Sequence, residues 1–397
     1  MQYRKLDKTG EEISALGYGC MRFPTNFGKI DVDLAKEMIF KAIDSGVNYL
    51  DTAWFYHYSD SESFLGKHIL STEYRKKVNI ATKMPTPIVN KTSQFEEIFN
   101  SQQKKLNVDV IDFYLLHTLS LKVYKKMLNL GVIDFMNSLK REKKIRYMGF
   151  SFHDNFENFI EIIDSYDWDF CQVQFNILDV NFQAGIKGIE YAKSKGISVF
   201  IMEPLRGGSL VSKIPKEVQK IYDTADVKRT PANWALSFVL NHEAITMVLS
   251  GMSNLSDVLE NVETAKNTLP NSLTKKEEEI LTNVSDTFNK LMVVRCTGCK
   301  YCLPCPAGID IPSAFTALNT KNMFPSRLNE FIYLKSVCEN AKDGKPSWTK
   351  NCINCGKCEK ECPQGIDIRE KLKLVGKQIE KPIPTYCMSK ITKLTLK

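Results

Sequence analysis

The chain has 397 residues, of which 43% are hydrophobic and 25% are charged, a balance that is typical of globular proteins and excludes wholesale disorder. Its formal net charge of +8 comes from dispersed basic residues, without the aromatic-interleaved basic patch that indicates nucleic-acid binding. There is no transmembrane run and no apolar leader, so we expect a cytoplasmic protein without membrane partners, and the length allows two domains.

Residues 1–270 alternate between strand-like and helix-like patterns. A predicted hairpin, 3–6 and 11–14 around a turn at 8–10, should plug the bottom of a barrel. Apolar runs typical of parallel strands buried on both faces follow at 13–19, 47–53, 78–83, 111–117, 145–152, 170–177, 197–203 and 245–251. Eight strand–helix units predict a (β/α)8 TIM barrel. A doubly wound sheet is less favoured, because residues 17–20 lack the third glycine of a dinucleotide turn.

The pattern changes after residue 270. Thr274 and Glu277 form a capping box that starts a helix, predicted through about Met292, and this helix leads to Cys296. We therefore predict a barrel at 1–270, a helical linker at 271–294 and a basic tail at 381–397. Between them, 295–380 should form a small and mainly helical domain, whose eight clustered cysteines indicate a ferredoxin-like fold.

Eight of the twelve cysteines lie in two short tracts, CTGCKYCLPCP and CINCGKCEKECP. Three cysteines at two-residue gaps, followed by Cys-Pro, is the spacing of bacterial two-cluster ferredoxins, and the sequence therefore predicts two [4Fe–4S] clusters. Zinc sites usually use two CxxC pairs and cytosolic thiols stay reduced, so zinc and disulfides explain the tracts poorly. The predicted ligands are Cys296, Cys299, Cys302, Cys305, Cys352, Cys355, Cys358 and Cys362.

The resemblance to these ferredoxins implies that the tracts exchange ligands. In such proteins the cysteine before proline binds the other cluster. One cluster would then be bound by Cys296, Cys299, Cys302 and Cys362. The other would be bound by Cys352, Cys355, Cys358 and Cys305. Cys305 follows Cys302 by three positions where four is usual, so the exchange is better supported for Cys362.

Polar side chains end three consecutive predicted strands. The second strand leads to Asp51 and then Tyr56, the third ends at Lys83 and the fourth ends at His117. Catalytic groups of such barrels lie at the carboxyl ends of strands, and buried charges are costly unless they meet. Considered separately, Asp51 could cap a loop, His117 could be a core histidine, and Lys83 could extend its ammonium group to the surface. Their order on consecutive strands favours one catalytic site.

These motifs resemble the aldo-keto reductase superfamily. The matching segments are GYGCMRFP, DTAWFYHYSDSESFLGK, ATK, LLH, GFSFHD and SNLSDVLENV. The resemblance covers about residues 1–270, and the cysteine-bearing extension is similar to that of a prokaryotic subgroup with a ferredoxin-type tail.

The resemblance implies that Tyr56 is a general acid that protonates a substrate carbonyl oxygen. Lys83 would lower the pKa of Tyr56, Asp51 would hold Lys83, and His117 would orient the carbonyl. The implied activity is NAD(P)H-dependent reduction of an aldehyde, ketone or quinone-like carbonyl.

A nicotinamide cofactor site is also implied by the resemblance. Its expected residues are Gly19, Cys20, Met21, Arg22, Ser151, Gln172, Pro204, Leu205, Gly207, Ser253, Glu260 and Asn261. Ser151 and Gln172 would bind the carboxamide, 203–207 would run beside the pyrophosphate, and Glu260 and Asn261 would reach the adenine.

Three positions depart from the family or bear on specificity. Phe152 stands where the family often has asparagine, and with Trp54 and Phe55 it suggests an apolar mouth. Gly251 and Asp257 stand where NADP-selective members carry Lys and Arg. We therefore expect weak selectivity for NADP, or a preference for NAD.

Three hypotheses describe the fusion of the two parts. In the first, the protein is a reductase whose clusters exchange electrons. Because a cluster passes one electron and a hydride carries two, this enzyme would need a ferredoxin-like partner or a bound flavin. The sequence contains no clear flavin motif. The clusters could instead be purely structural in the same reductase. The third hypothesis is an iron–sulfur electron carrier whose barrel is a docking scaffold.

Overall fold

The structure, a computed structural model, describes residues 1–211, 214–296, 302–324, 327–339, 346–362 and 365–381. The chain divides into two compact units, termed here the barrel unit and the cysteine unit. The barrel unit comprises Met1–Val211 and Val227–Leu281, and the cysteine unit comprises Ser212–Asp226 and Thr282–Lys397. The domain limits at 270, 294 and 380 stay a prediction.

The barrel unit contains a closed barrel of eight parallel strands. In chain order these are β1 (Leu16–Gly19), β2 (Tyr49–Asp51), β3 (Asn79–Met84), β4 (Ile111–Leu119), β5 (Ile145–Phe152), β6 (Phe170–Gln174), β7 (Ser198–Met202) and β8 (Met247–Ser250). Neighbouring strands pair in chain order, and β8 closes on β1 with Val248 opposite Leu16. The predicted TIM barrel is confirmed, with its strands buried on both faces as their apolar runs require.

The barrel interior is filled by apolar side chains below the carboxyl ends of the strands. The interior cluster consists of Leu6, Ile13, Tyr49, Ala81, Phe113, Leu115, Tyr147, Phe170, Phe200, Met247 and Leu249. Two of these, Leu6 and Ile13, come from the predicted amino-terminal hairpin, whose strands Tyr3–Lys5 and Glu12–Ser14 pair antiparallel. The hairpin therefore plugs the barrel as expected. The closed floor leaves the opposite end of the barrel as the place for a site.

Helices surround the strands and bury one apolar face each. The helices of the barrel unit are α1 (Val32–Asp44), α2 (Ser61–Leu65), α3 (Ser93–Leu106), α4 (Leu121–Asn129), α5 (Val132–Arg141), α6 (Phe156–Asp164), α7 (Gly185–Ser194), α9 (Pro231–Leu240) and α10 (Leu255–Asn267). In α1 the buried residues Ala35, Met38, Ile39 and Ala42 recur at the three- and four-residue spacing of one helix face. A short π-helix, Gly66–Leu70, continues α2.

Helix α11 (Lys275–Leu291) begins at the predicted capping box. The Thr274 backbone N–H donates to Glu277 Oε2 at 2.8 Å, and the Glu277 N–H donates to Thr274 Oγ1 at 3.3 Å. These two bonds satisfy backbone donors that the first helical turn leaves without partners. The predicted start of this helix is confirmed.

The cysteine unit is mainly helical. Its helices are α8 (Lys216–Tyr222), α12 (Ile311–Met323), α13 (Arg327–Glu339), α14 (Lys357–Lys360) and α15 (Ile368–Gln378). Each cysteine tract leads into a helix of the core, the first into α12 and the second into α15, and these two helices pack together. Among the helices of the described ranges, none combines the length and apolarity needed to cross a bilayer.

Polar side chains anchor the backbone just ahead of both cysteine tracts. Asn319 of α12 binds both backbone groups of Val294, accepting from its N–H at 2.9 Å and donating to its C=O at 2.6 Å. Glu380 accepts from the Thr349 N–H at 2.9 Å and from the Tyr333 hydroxyl at 2.7 Å. Each tract thus starts from a position fixed by the helical core.

Candidate active site

The carboxyl ends of β2, β3 and β4, with the loop after β2, bring the four predicted catalytic residues together. Asp51 ends β2, Lys83 lies near the end of β3, and both are buried, with exposed fractions of 3% and 1%. Lys83 Nζ lies 2.6 Å from Asp51 Oδ2 and donates to the Thr52 carbonyl at 2.8 Å. Its third donor faces the Tyr56 hydroxyl at 3.4 Å. The ammonium group therefore has a partner for each proton, and Tyr56 is one of them.

Charge and burial set the protonation states of Lys83 and Tyr56. Burial alone would lower the pKa of Lys83, but Asp51 and Tyr56 outweigh it and raise that pKa above its ordinary value. Burial raises the pKa of Tyr56, because desolvation and the Asp51 charge exceed the lowering effect of Lys83. Lys83 acts on the pKa of Tyr56 in the expected downward direction, but burial outweighs it and the net shift is upward. At neutral pH the site therefore holds a protonated phenol beside an ammonium group.

His117 of β4 completes this group from the neighbouring strand. Its ring lies edge-on to the Tyr56 ring, with centroids 6.2 Å apart, and its buried Nδ1 has no hydrogen-bond partner among the described residues. Burial, Lys83 and His153 together lower the pKa of His117 to about 3. The imidazole is therefore neutral and can offer a hydrogen bond at the mouth of the barrel.

Strands β5 and β6 place Ser151 and Gln172 side by side. The two residues pair across the strands and are both buried. Ser151 Oγ accepts the Thr118 N–H at 2.8 Å, and Gln172 Oε1 has no partner among the described residues. A buried acceptor without a donor is costly unless a ligand satisfies it. Gln172 is thus suited to an amide N–H of a bound molecule.

The segment leaving β1 joins the loops that follow β7 and β8. Cys20 donates its N–H to the Asp51 carbonyl at 2.9 Å and is fully buried, whereas Met21 is 58% exposed. The Arg22 side chain lies against Gly207 and Gly251, where an added Cβ would come within 3.0–3.2 Å of it. The structure thus brings Arg22 and Gly207 together as neighbours.

The remaining predicted cofactor residues lie in the loops after β7 and β8 and in α10. Pro204 is buried and Leu205 packs on the core. Ser253 donates from its N–H and its hydroxyl to Asp257 Oδ2, at 3.0 and 3.1 Å. Asn261 donates to Ser250 Oγ at 2.9 Å inside the protein, and Glu260 accepts a hydrogen bond from Thr230.

A family comparison agrees with this geometry. Residues 15–281 match the aldo/keto reductase family over the whole barrel.

The chain belongs to the aldo/keto reductase family.

Residues 295–366 of this aldo/keto reductase match the 4Fe-4S dicluster domain, so the enzyme, an oxidoreductase, carries an iron–sulfur domain after its barrel. An L-galactose dehydrogenase of Arabidopsis thaliana is 26% identical over 280 residues, which cover 66% of this chain and 87% of the relative. An NADH-specific methylglyoxal reductase of Escherichia coli is 24% identical over 302 residues, covering 65% of this chain and 91% of the relative.

A solved structure shows the same fold as this aldo/keto reductase. An aldo-keto reductase of Bacillus halodurans in its holo form matches with a TM-score of 0.60 and 24% identity. The match covers 72% of this chain and 96% of that one.

In the described part of the iron–sulfur domain, cysteines of both tracts line a pocket. The cysteines around it are Cys302, Cys305, Cys352, Cys355 and Cys358. Cys305 thus joins three second-tract cysteines, as the ligand exchange requires, and Cys302 lies beside them. Cys296 and Cys362 do not line this pocket, and Cys299 lies outside the described residues. The assignment of ligands to clusters stays a prediction.

No three His, Cys, Asp or Glu side chains among the described residues are placed to share a single metal ion. A cubane makes a different demand, because each of its four irons takes its own thiolate.

A buried polar network next to Lys83 was not predicted from the sequence. Gln102 of α3 donates to the Lys83 carbonyl at 3.0 Å and to Glu62 Oε1 at 2.7 Å. Glu62 also accepts from Thr82 at 2.6 Å, and Gln102 accepts from Tyr114 at 2.8 Å. Gln102 lies on the apolar stripe of α3, and a polar residue on a buried helix face is the signal that could have revealed it.

Two aromatic residues that suggested an apolar mouth lie elsewhere. Trp54 packs against the core outside the barrel, with Lys105 Nζ 3.9 Å from the centre of its ring. Phe152 is fully buried against Phe159 of α6, on the outer face of β5. Phe55 is 44% exposed beside Tyr56. An apolar substrate pocket is therefore not supported by Trp54 or Phe152.

Proposed function

We propose that the barrel reduces a small-molecule carbonyl with a nicotinamide cofactor, and that Tyr56 is its general acid. The observation that carries this proposal is the Tyr56–Lys83–Asp51 chain beside a neutral His117 at the carboxyl ends of the strands. The experiment that tests it is replacement of Tyr56 by Phe, developed in the Discussion.

Each of the four side chains has its own role in proton transfer. Tyr56 stays protonated at neutral pH and holds the proton that a carbonyl oxygen takes as it gains negative charge. As that proton leaves, Lys83 stabilises the phenolate through the contact it already makes. Asp51 holds Lys83 in place, and His117 orients the carbonyl by a hydrogen bond.

The barrel mouth fits a nicotinamide carboxamide. The unpartnered Gln172 Oε1 accepts an amide N–H, and Ser151, its neighbour across the strands, supplies a hydroxyl. When bound, the nicotinamide supplies the hydride equivalent. Arg22, beside Gly207, offers positive charge where the pyrophosphate is expected.

We predict that the enzyme binds NADH at least as tightly as NADPH. Ser253 fixes the Asp257 carboxylate by two hydrogen bonds. The family resemblance implies that a 2′-phosphate would lie beside this carboxylate, and like charges repel. Fluorescence titration of the purified protein with both cofactors measures the two Kd values. Asp257→Asn keeps the hydrogen bonds and should tighten NADPH binding roughly tenfold, about 1.4 kcal/mol. A wild-type protein that binds NADPH ten times more tightly than NADH contradicts the prediction.

The substrate class rests on the relatives. An L-galactose dehydrogenase and an NADH-specific methylglyoxal reductase are among them, which supports a small aldehyde or ketone as the carbonyl and methylglyoxal as the test substrate. Phe55 and Tyr58 on the loop of Tyr56 are exposed and could contact such a substrate.

We further propose that the second domain holds two [4Fe–4S] clusters. The cysteine-lined pocket supports a cluster bound by Cys305, Cys352, Cys355 and Cys358. The other cluster would take the remaining four tract cysteines, Cys296, Cys299, Cys302 and Cys362. Bound clusters supply one-electron transfer, and a ferredoxin-like partner or a flavin would connect them to two-electron chemistry.

Replacing Cys355 by Ser should remove one cluster. Iron content after anaerobic purification is expected to fall from about eight to about four atoms per chain, since one cubane loses a ligand. Cys338→Ser is the matched control, because Cys338 is buried in the core of the same unit and lies outside both tracts. An unchanged iron content in Cys355→Ser contradicts the ligand assignment. Intact NADH turnover with lost electron flow to a ferredoxin favours a relay over a structural role.

A further inference from the structure

The loop that carries Tyr56 has an unusual backbone. Three successive residues after Tyr56, namely His57, Tyr58 and Ser59, have φ values of +52°, +54° and +70°. This left-handed region is unfavourable for residues with a Cβ, and a run of three persists only where the surroundings hold it. The contacts of this loop therefore decide where the Tyr56 hydroxyl lies.

His57 supplies the contact that joins this loop to the segment leaving β1. Its Nε2 accepts the backbone N–H of Phe23 at 3.1 Å, and its ring stacks on the Phe23 ring with centroids 5.3 Å apart. Phe23 is buried and packs in turn on Phe64 of α2, at 5.0 Å. The loop of the general acid is thus tied to residues 20–23, which are expected to lie along the cofactor.

We propose that His57 is a positioning residue. By accepting the hydrogen bond from Phe23, it fixes the position of Tyr56 relative to the β1 segment. This inference rests on the proposed function, because Tyr56 is the group being positioned. The bond requires a neutral imidazole with an unprotonated Nε2. Protonation would turn this acceptor into a donor that faces the Phe23 N–H, and the hydrogen bond would be lost.

The surroundings of His57 favour its neutral form. Burial lowers the pKa of His57, against the opposing charge of Asp60 on the same loop. The β1 segment presents the apolar ring of Phe23, which packs in turn on Phe64 of α2. The bond is therefore intact at neutral pH and is lost as the pH falls through the lowered pKa of His57.

Two substitutions separate the hydrogen bond from the ring. His57→Phe keeps a stacking ring and removes the acceptor, so kcat for methylglyoxal reduction should fall roughly 10- to 100-fold at neutral pH, with little change in the KM for NADH. His57→Gln keeps an acceptor that does not titrate. It should retain most of the activity and lose the acid fall in kcat that wild type shows. His242, which packs against Phe238, also has a pKa lowered by burial, and His242→Gln should keep the wild-type pH profile.

Amide hydrogen exchange gives a readout that does not depend on turnover. In the holoprotein, the peptide that contains Phe23 should lose protection in His57→Phe and keep it in His57→Gln. Equal losses of kcat in both variants, or wild-type kcat and exchange in His57→Phe, overturn the proposal. A further outcome is that wild type reduces no carbonyl while the two variants still differ in exchange at the Phe23 peptide. In that case the proposed function fails, and the hydrogen bond between His57 and Phe23 is still supported.

Discussion

Replacing Tyr56 by Phe is expected to lower kcat for carbonyl reduction by ~10²–10⁴, the usual contribution of a positioned proton donor. The ring remains, with Lys83 Nζ 4.9 Å from its centre, so the site keeps its shape and loses one oxygen. Nicotinamide affinity should stay unchanged, since the predicted carboxamide contacts come from Ser151 and Gln172. Steady-state kinetics with methylglyoxal and a cofactor titration measure the two effects separately.

A matched Tyr→Phe substitution provides the control. Tyr49 has a buried hydroxyl without a hydrogen-bond partner in the described part of the chain, so Tyr49→Phe should leave kcat unchanged. The pH profile adds a second check, because the raised pKa of Tyr56 keeps the acid form present through neutral pH. On the alkaline side, activity should fall only well above neutral pH, as the Tyr56 phenol ionises. Equal kcat values for wild type and Tyr56→Phe would refute the general-acid role.

Replacing Lys83 by Met is expected to destabilise the barrel by about 3–5 kcal/mol at neutral pH, because it leaves the Asp51 carboxylate buried and unpaired. Urea unfolding followed by tryptophan fluorescence measures this loss, since Trp54, Trp168 and Trp234 all lie in the barrel unit. The double variant Asp51→Asn with Lys83→Met carries no buried charge there. It should recover most of the lost stability while remaining inactive.

The sign of the pH dependence makes this prediction specific. Burial raises the pKa of Asp51 even with Lys83 present, so without Lys83 the folded state binds a proton that the unfolded state releases. The destabilisation in Lys83→Met should therefore shrink as the pH falls through that raised pKa. A loss of stability that is the same in the single and double variants would show that side-chain volume, and not charge, causes it.

Much of the site could be predicted because strand burial leaves a strong sequence pattern. Asp51, Lys83 and His117 interrupt apolar strands, and a parallel barrel brings the ends of consecutive strands together. The orientation of Phe152 could also have been predicted. Ser151 faces the predicted cofactor site, and side chains alternate along a strand, so Phe152 must lie on the outer face of β5.

Other features depend on the fold and were beyond a sequence pattern. The pKa of Tyr56 follows from the balance of burial against one ammonium group, and only coordinates give that balance. The left-handed loop after Tyr56 contains no glycine at residues 57–59, the residue type that usually indicates such a backbone. The proposed positioning role of His57 therefore depends on its contacts with Phe23, which only the structure shows.

Transfer of deuterium from NADH deuterated at C4 to the product is the most direct test of reduction within the barrel. Methylglyoxal is incubated anaerobically with the purified protein and labelled NADH, and the alcohol is analysed by mass spectrometry and NMR. The account predicts deuterium on the carbinol carbon with wild type and almost none with Tyr56→Phe. Unlabelled or absent alcohol, together with electron transfer between the iron–sulfur domain and a ferredoxin, would contradict it and favour an electron carrier with a scaffold barrel.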